Sequence, residues 1–461
     1  MFAIFNILLI STISPQAWEP LHYKELIKYQ HIIIEYDKID SLASNHLINR
    51  QTDRELSHRI VGYLPYWQYS YYPTLDYSLL TEINYFSAEL NEYGEIINSH
   101  NWENLELVEF AHNHGVKVKL CATLFGSESL DILLENELYR SNAINNLLNL
   151  VLLMNADGVD IDFELLPANQ RENLVTFMQD LSNTFHESMD NPIITMATPA
   201  VDWSNAWDYN MLAQITDGLF IMGYDYFYGG SSTAGPVSPL GGYYYDLEFT
   251  VNDYIEKTNG QLDKLILGLP YYGYDWPVVS SSMNSETTGT ATARVYGEVI
   301  DMVEIYGYNW NADSNAPWFP YSNTSWRQCW YDDATSLAQK YQFAKNNSLA
   351  GVGMWALGYD GNSNDLWDIL YDNFIIQLEG DINGDGILNI LDVVGVVNFV
   401  LNGVYSSSAD LNHDEDVSIL DIIILVNYIL GFASDFDCID FNEDQSANIL
   451  DVIFIINTIL N

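Results

Sequence analysis

Basic side chains are scarce in this sequence. Across 461 residues there are 16 Lys and Arg against 63 Asp and Glu, which leaves a formal net charge of −47. Nucleic acids and anionic membranes are bound through basic surfaces, so the composition argues against both as partners. The acidic excess is compatible with calcium binding and with a salty external medium.

Cysteine is scarcer still, with only Cys121, Cys329 and Cys438. Three cysteines are too few for a disulfide framework. We expect them to be buried as small apolar side chains rather than to act as reactive thiols.

Beyond the first residues the sequence has no apolar run of transmembrane length, so no transmembrane helix is expected in the rest of the chain. Residues 1–17 have an apolar stretch followed by small residues, the pattern of a secretory signal peptide, although no Lys or Arg precedes it. A buried N-terminal helix is the alternative. Residues 18–58 are polar and helix-compatible, and we interpret them as an N-terminal extension without recognisable chemistry.

Aromatic residues, by contrast, are plentiful. Hydrophobic residues make up 48% of the chain and aromatic residues 14%, with 33 Tyr and 12 Trp. This composition predicts a globular protein. Some of these rings belong in a core, and exposed aromatic faces also stack well on sugar rings.

One stretch, Ala156–Glu164, carries acids in a strand-like pattern. Asp160, Asp162 and Glu164 alternate with three apolar residues, which predicts a β-strand with one carboxylate face. Asp157 is out of phase and is placed just before the strand. A buried parallel strand is normally apolar on both faces, so stacked carboxyl groups there should raise at least one pKa. Glu164, the last acid, is the natural proton donor.

Strand-like and helix-like segments alternate from Arg59 onward. Eight β-branched or aromatic runs are separated by helix-compatible segments, which predicts an α/β fold, a (β/α)8 TIM barrel over residues 59–376. An open doubly wound sheet would give a similar alternation. The predicted strands are Ile60–Trp67, Glu82–Glu89, Val116–Leu124, Ala156–Glu164, Pro192–Pro199, Gly218–Tyr226, Lys264–Tyr271 and Leu349–Trp355, and examples of the predicted helices are Trp102–His114, Glu172–Glu187, Leu247–Thr258 and Ala334–Asn346.

The four acids Asp157-x-x-Asp160-x-Asp162-x-Glu164 resemble the signature of family 18 glycoside hydrolases, the chitinases and related N-acetylglucosaminidases. The ends of later strands resemble the same family in Met222-Gly-Tyr224-Asp225, Leu269–Asp275 and Gly351–Trp355. The resemblance implies catalytic roles for Glu164, Asp162, Asp160 and Tyr224. It implies substrate binding by Asp225, Met222 and Trp355, with Tyr66, Trp67, Phe86 and Tyr272 as weaker candidates that are equally compatible with the core.

The resemblance also implies a retaining, substrate-assisted hydrolysis of β-1,4 linkages between N-acetylglucosamine units, as in chitin or chito-oligosaccharides, with no cofactor for catalysis. Peptidoglycan and N-glycan chitobiose are alternative substrates, because Gly62–Trp67 and Tyr271–Trp276 are similar to spore-cortex glucosaminidases and chitobiases of the family. A non-catalytic chitin-binding lectin is the alternative from another class, although such lectins typically lack the acid found here at Glu164.

A long interval, Trp276–Trp330, separates the seventh predicted strand from the next helix. Connections of this length usually have their own structure or a role. We therefore predict an insertion over about residues 276–330, which either forms a wall of the cleft or is a surface excursion without substrate contact.

A repeat of 29 and 30 residues follows in residues 379–461. Each copy places oxygen-bearing side chains at positions 1, 3, 5, 9 and 12 of a loop before an apolar helix, which is the spacing of an EF-hand calcium loop. The candidate structural Ca²⁺ ligands are Asp381, Asn383, Asp385, Asn389 and Asp392 in the first loop, Asp410, Asn412, Asp414, Ser418 and Asp421 in the second, and Asp440, Asn442, Asp444, Asn448 and Asp451 in the third.

These repeats resemble dockerin modules, which implies a small all-α calcium-loop domain and a cohesin-like protein as a partner. The sequence departs from dockerins in three ways. It has three loops rather than two, it has Ile-Leu at positions 10 and 11, and only Gly386 supplies glycine at position 6, where Glu415 and Gln445 stand in the other loops. A calcium-stabilised tail without a partner is the alternative.

Overall fold

The computed structural model describes residues 19–32, 34, 55–361, 363–376, 379–384 and 387–430. Of these, residues 19–34 and 58–373 belong to one compact unit, and residues 55–57 and 374–430 belong to a second. The predicted signal peptide, Cys438, the third calcium loop and Asp385 and Gly386 of the first loop lie outside the described residues.

Eight parallel strands form a closed barrel, which confirms the predicted fold class. The hydrogen-bonded order is β1-β14-β8-β7-β6-β5-β4-β2, and pairing of β1 with β2 closes the ring. The barrel strands are β1 (Arg59–Pro65), β2 (Glu82–Leu90), β4 (Lys117–Phe125), β5 (Gly158–Glu164), β6 (Ile193–Pro199), β7 (Gly218–Met222), β8 (Leu265–Pro270) and β14 (Gly351–Trp355), and a short β3 (Ile96–Asn98) pairs antiparallel with β2.

Close packing between the barrel strands explains the glycine at the start of β5. A Cβ atom on Gly158 would lie 1.8 Å from the carbonyl oxygen of Ile193 on β6, so no larger residue fits there without moving the neighbouring strand.

Helices surround the barrel between successive strands. They bury their apolar faces against the sheet, as the alternation of segments predicts. An additional helix, α1 (Leu21–Tyr29), precedes the barrel, and the surrounding helices are α2 (Leu107–Asn113), α3 (Ser127–Glu135), α4 (Glu137–Met154), α5 (Arg171–Ser188), α6 (Tyr209–Ile215), α7 (Leu247–Lys257), α9 (Ala334–Asn346) and α10 (Asp365–Phe374).

Two predicted segments have different bounds in the structure. Trp102–His114 is not one helix: a short 3-10 turn at Trp102–Asn104 is followed by extended backbone at Leu105, and α2 begins only at Leu107. The sixth predicted strand stops at Met222 rather than at Tyr226, because the backbone turns to a φ of +60° at Asp225.

The predicted insertion is a small domain with its own sheet. An antiparallel sheet of order β10-β9-β13-β12-β11 is covered by α8 (Tyr296–Tyr306), through contacts of Val299 with Phe319 and Cys329. Its strands are β9 (Tyr272–Val278), β10 (Thr292–Val295), β11 (Asn309–Asn311), β12 (Ala316–Ser322) and β13 (Trp326–Trp330). The insertion thus begins at Tyr272, four residues earlier than the predicted start at residue 276, because β9 follows β8 almost directly.

The described part of the second unit contains two helices, α11 (Ile390–Asn402) and α12 (Ile419–Ile429). They pack through an apolar cluster that includes Val393, Val396, Ile422 and Leu425. No described helix is both long enough and apolar enough to cross a membrane. Cys121 and Cys329 are buried free thiols, as expected.

Candidate active site

The acid-bearing strand β5 is buried on both faces. Asp160 and Asp162 have no solvent exposure, and Glu164 is 6% exposed. Three carboxyl groups in a row inside a barrel must either find partners or shift their pKa values. The structure shows a different environment for each of them.

Asp160 is the deepest of the three and has the most complete set of partners. Its carboxylate accepts hydrogen bonds from the Tyr63 hydroxyl at 2.6 Å and from the Thr195 hydroxyl at 2.5 Å. Burial raises the pKa of Asp160, while the nearby Lys119 ammonium and these hydrogen bonds oppose the rise. The Lys119 Nζ atom also donates to Thr195 at 2.8 Å, so the cation reaches Asp160 through that hydroxyl.

A buried ion pair lies beneath this network. Lys119 Nζ is 2.6 Å from a carboxylate oxygen of Glu82, and the Arg59 guanidinium donates to both oxygens of Glu82 at 2.6 and 2.9 Å. Burial alone would raise the pKa of Glu82, but Lys119 and Arg59 lower it to about 2. These three residues were not among the sequence predictions, although a Lys inside the apolar run of β4 was an available signal.

Glu164 has the environment of a proton donor. Burial, followed by the neighbouring Asp162 carboxylate, raises its pKa to about 7. The acid lies at the C-terminal end of β5, the end at which TIM barrels carry their sites. A carboxyl group that stays protonated near neutral pH can donate that proton to a leaving group.

Tyr224 and Asp225 follow β7 and face the same cleft. The Asp225 carboxylate accepts hydrogen bonds from the hydroxyl groups of Tyr272 at 2.5 Å and Tyr274 at 3.2 Å. Burial raises the pKa of Asp225, and the Tyr272 hydrogen bond opposes the rise. The strained backbone of Asp225, with φ of +60°, directs this carboxylate toward the tyrosines.

An aromatic wall completes the cleft. The Trp355 ring, at the end of β14, has its centroid 4.8 Å from that of Phe86 and 6.4 Å from that of Trp67. The Trp67 Nε1 atom donates to the Tyr359 hydroxyl at 3.2 Å. The predicted candidates Trp355, Phe86, Trp67 and Tyr272 thus come together around the carboxylates.

Two further predicted substrate-binding residues lie beside this cluster. Tyr66 is 1% exposed, and its ring packs edge-on against Trp67, with a centroid distance of 4.9 Å, and stacks on His100 at 3.5 Å. Met222 is the last residue of β7 and is buried in the barrel wall. Contact of either side chain with substrate stays a prediction.

The cleft also contains a part of the chain that sequence reasoning missed. Helix α1, from the N-terminal extension, places His22 between the acids and the tryptophan. His22 Nδ1 is 2.9 Å from Asp162 Oδ2 and 3.3 Å from Glu164 Oε1, and Nε2 is 3.0 Å from the Tyr224 hydroxyl. The His22 ring lies 3.8 Å from Trp355, centroid to centroid.

Other side chains of α1 extend this contact. Glu25 Oε2 accepts a hydrogen bond from Trp355 Nε1 at 2.8 Å, and the Tyr29 ring stacks on Trp67 at 4.8 Å. Burial raises the pKa of Glu25 to about 7, with the Trp355 hydrogen bond opposing the rise. Burial alone would lower the pKa of His22, but Asp162 and then Glu164 raise it to about 10, so the ring is an imidazolium at neutral pH.

His22, Asp162 and Glu164 could together hold a metal ion, because their ligand atoms lie within 4.8 Å of one another. Among the described residues, no other group of three or more His, Cys, Asp or Glu side chains is this close. The distances of His22 from the two acids are also those of a hydrogen-bonded ion pair.

In the second unit, the loop before α12, a predicted calcium loop, is held by hydrogen bonds to two buried acids. Asp421 accepts hydrogen bonds from the backbone N–H groups of Leu411 at 2.8 Å, Asn412 at 3.2 Å and Ser418 at 2.7 Å. Asp410 accepts N–H groups of Asp414 at 3.1 Å and Glu415 at 3.0 Å. In the preceding loop Asp392 holds Ile382, Asn383 and Asn389 in the same way.

Comparison with known families agrees with this geometry. Residues 59–360 match the model of glycosyl hydrolases family 18, and residues 379–430 and 408–460 match the Dockerin type I domain. The chain belongs to glycosyl hydrolase family 18. It is therefore a member of a glycosidase family with a dockerin region, which confirms the resemblance noted in the sequence.

Relatives of this family 18 chain include chitobiases and spore enzymes. It is 26% identical over 302 residues to human di-N-acetylchitobiase, a match that covers 58% of this chain and 75% of the relative. It is 27% identical over 259 residues to the cortical fragment-lytic enzyme of Bacillus subtilis, covering 54% of this chain and 57% of that enzyme. The chain thus spans little more than half of the length of that second relative.

Solved structures agree with the family 18 fold. A GH18 chitinase from Cycas revoluta, crystallised with (GlcNAc)3, superposes with a TM-score of 0.63 at 19% identity, covering 68% of this chain and 99% of the other. At this identity the likeness extends to the barrel fold alone.

Proposed function

We propose that the protein hydrolyses β-1,4 linkages of N-acetylglucosamine-containing polysaccharides, chitin or chito-oligosaccharides, by substrate-assisted retaining catalysis. The observation that carries this proposal is the arrangement of Asp162, Glu164 and Tyr224 around one small space, which the His22 ring fills. Its Nδ1 atom lies 2.9 Å from Asp162 and 3.3 Å from Glu164, and its Nε2 atom lies 3.0 Å from Tyr224. An acetamido group is small and planar and has one donor and one acceptor, which suits those partners.

In this mechanism Glu164 acts first as general acid. It gives its proton to the glycosidic oxygen, the bond to the anomeric carbon breaks, and the carbonyl oxygen of the 2-acetamido group attacks that carbon. The product is a cyclic oxazolinium ion, an exception to the scheme with two carboxylates. Glu164, now ionised, then takes a proton from water, which opens the ring with net retention.

The other residues orient and stabilise the acetamido group. Asp162 accepts the acetamido N–H and balances the positive charge that develops on the ring, and Tyr224 donates to the acetamido oxygen. Asp160, held by Tyr63 and Thr195, maintains the negative charge behind Asp162. Trp355 forms the floor beneath the sugar, and Asp225 contacts the same unit.

Two alternative substrates follow from the relatives. Human di-N-acetylchitobiase and the cortical fragment-lytic enzyme are named for chitobiose and for spore cortex, so N-glycan chitobiose and peptidoglycan are the second candidates. Each presents an N-acetylated sugar beside the bond to be cleaved, and the same carboxylates would serve. A lectin that binds chitin without cleaving it is the remaining candidate.

We further propose that the enzyme is secreted and that its dockerin region binds Ca²⁺ and docks on a cohesin-like protein. The buried acids Asp410 and Asp421 accept hydrogen bonds from backbone N–H groups and, for Asp410, from the Tyr405 hydroxyl, and no described salt bridge includes either one. Such a set of hard oxygen atoms suits Ca²⁺. With the other side chains of each predicted loop, these acids would hold an ion that fixes the loop before its helix.

The test compares digestion of chitin oligomers, crystalline chitin and peptidoglycan by the purified chain, with products identified by mass spectrometry. Release of N-acetylglucosamine oligomers from chitin supports the main proposal, and cleavage of peptidoglycan alone would support the second candidate. Binding without cleavage of any of the three would leave the lectin.

Substrate assistance has a separate test. Thiazoline analogues of N-acetylglucosamine mimic the cyclic intermediate and should inhibit competitively, and a fully de-N-acetylated chain should not be cleaved. Hydrolysis of that chain at a comparable rate would contradict the mechanism without contradicting the glycosidase activity.

A further inference from the structure

We propose that helix α1 is a built-in competitive inhibitor of the enzyme, which occupies the sugar-binding cleft until substrate displaces it. Nothing in the sequence of residues 18–58 indicates this role. The inference rests on the proposed function because it concerns the same cleft, and on contacts of α1 that are independent of any substrate.

The contacts of His22 are those that a substrate would need. One edge of the imidazole engages Asp162 and Glu164, and the opposite edge engages Tyr224. The face of the ring lies against Trp355 at 3.8 Å. With this side chain in place, neither a sugar ring on the tryptophan nor an acetamido group between Asp162 and Tyr224 can enter.

The positive charge of His22 strengthens its contact with the acids of the cleft. The cleft contains buried acids, and His22 brings a positive charge to them in a site that excludes water, where hydrogen bonds between charged groups are strongest. The Glu164 carboxyl group, 3.3 Å from His22 Nδ1, is covered by the imidazole ring instead of being available to a glycosidic oxygen.

The rest of α1 continues along the aromatic wall. Glu25 accepts the Trp355 N–H at 2.8 Å, and Tyr29 covers the face of Trp67 with an interplanar angle of 25°. Leu21 and Leu26 are each 5% exposed. The helix therefore blocks a stretch of cleft that extends from Trp355 to Trp67.

A purely structural role for α1 explains these facts less well. The eight-stranded barrel is closed by its own strands, and α1 belongs to none of the βα units that build it. A helix that only covers a core would bury apolar side chains alone, whereas α1 buries a histidine and a glutamate beside Leu21 and Leu26. The histidine and the glutamate contact the carboxylates and the tryptophan of the site.

Because α1 is tethered to the enzyme, its effective concentration at the cleft is on the order of millimolar. Even a modest intrinsic affinity then keeps most of the cleft closed at low substrate concentration. The expected signature is a raised KM with little change in kcat, since saturating substrate displaces the helix.

The experiment compares His22→Ala with Ile27→Ala in the full chain. Ile27 lies on the same helix but is 46% exposed, so its variant is a matched control for changes in helix propensity. Loss of hydrogen bonds to charged groups should lower KM for soluble chito-oligosaccharides about ten-fold or more in His22→Ala, with kcat nearly unchanged. Tyr29→Ala, which removes only the stack on Trp67, should lower KM by a smaller factor.

A second measurement does not require turnover. Trypsin needs an unfolded segment, so cleavage after Lys24 and Lys28 should be slow in the wild type and in Ile27→Ala and faster in His22→Ala. If no variant hydrolyses any substrate, the proposed function fails and these cleavage rates alone decide the docking of α1. Unchanged KM values in both His22→Ala and Tyr29→Ala, or unchanged cleavage rates where there is no turnover, would overturn the inference.

Discussion

Two regions of this protein bury acidic side chains, and they neutralise them by different means. In the barrel, Asp160 and Glu82 lie among Lys119, Arg59, Tyr63 and Thr195, all supplied by neighbouring strands. In the dockerin region, Asp410 is 3% exposed and Asp421 is fully buried, and their described partners are backbone N–H groups and one hydroxyl.

The difference shows where each region obtains its positive charge. The chain has few basic residues, 16 Lys and Arg against 63 Asp and Glu. Two of these basic residues, Arg59 and Lys119, lie against acids of the barrel, and so does the imidazole ring of His22. In the dockerin loops we propose that the positive charge is a bound Ca²⁺. The barrel should therefore be indifferent to calcium and sensitive to mutation, and the tail should show the reverse.

The largest expected effect concerns Glu164, the barrel acid that we propose as the general acid. Glu164→Gln removes the transferable proton while preserving shape, and it should lower kcat about 10²–10⁴-fold, the contribution of a positioned general acid. Stability should be unchanged or raised, because a neutral amide replaces a buried carboxyl group. Steady-state kinetics and thermal unfolding measure both quantities.

Glu172→Gln is the matched control, since Glu172 is exposed on α5. It should leave both kcat and stability as they are. Near-normal turnover in Glu164→Gln would mean that another group donates the proton.

The next effect concerns the ion pair of the barrel. The pKa of Glu82 is lowered from 4.5 to about 2, because Lys119 and Arg59 outweigh its burial. A depressed carboxyl pKa contributes stability that is fully present above pH 4.5 and is lost as the pH falls toward 2. Urea unfolding at pH 6, 4 and 3 should show that loss in the wild type.

Glu82→Gln should be less stable at pH 6 by about 3–5 kcal/mol, since it leaves buried cations without their partner. Its stability should fall less steeply between pH 4 and 3 than that of the wild type. Parallel pH curves for the two proteins would show that Glu82 is not the group that responds to acid in this window.

Removal of calcium is expected to destabilise the dockerin region and to leave the barrel unchanged. At about 100 times its Kd, a bound ion stabilises the folded form by about 2.7 kcal/mol, and chelation removes that contribution. Calorimetry of the full chain should show one unfolding transition that moves with chelator and a second, from the barrel, that does not. Turnover of soluble oligomers should stay constant, and a chelator-sensitive turnover would contradict the separation of the two regions.

Much of the barrel could be predicted from the sequence because its signals are local. The alternation of Asp160, Asp162 and Glu164 with apolar residues depends only on the period of a strand, and the start of α9 coincides with the capping box of Asp333 and Ser336. Trp355, Phe86 and Tyr224 were expected in the site from the resemblance to family 18.

The missed residues depend on contacts between distant parts of the chain. His22 and Asp162 are 140 residues apart, and a polar helix in an extension gives no sign of the surface on which it will dock. Lys119 and Glu82 were individually visible as charges in apolar strands. Their pairing could not be predicted, because it depends on the register of β2 against β4. That register places Glu82 opposite Lys117, two residues before Lys119.

The smallest expected effect concerns the backbone of the second calcium loop. Glu415 stands at position 6 with φ of +66°, a conformation that costs an L-residue roughly 1–2 kcal/mol and costs glycine little. Glu415→Gly should stabilise the tail by about 0.5–1 kcal/mol in calcium, after the greater unfolded-state entropy of glycine is subtracted. The hydrogen bond from the Glu415 N–H to Asp410, 3.0 Å long, belongs to the backbone and survives the change.

Asp416→Gly in the same exposed turn is the control, because residue 416 is not among those with positive φ. It should destabilise the calcium-dependent transition by up to about 1 kcal/mol, the cost of added chain freedom without relief of strain. The two substitutions should thus move the transition in opposite directions. If both lower it, the Glu415 carboxylate itself contributes to the loop, and the loop would then hold its ion with one more acid than the repeat spacing assigns to it.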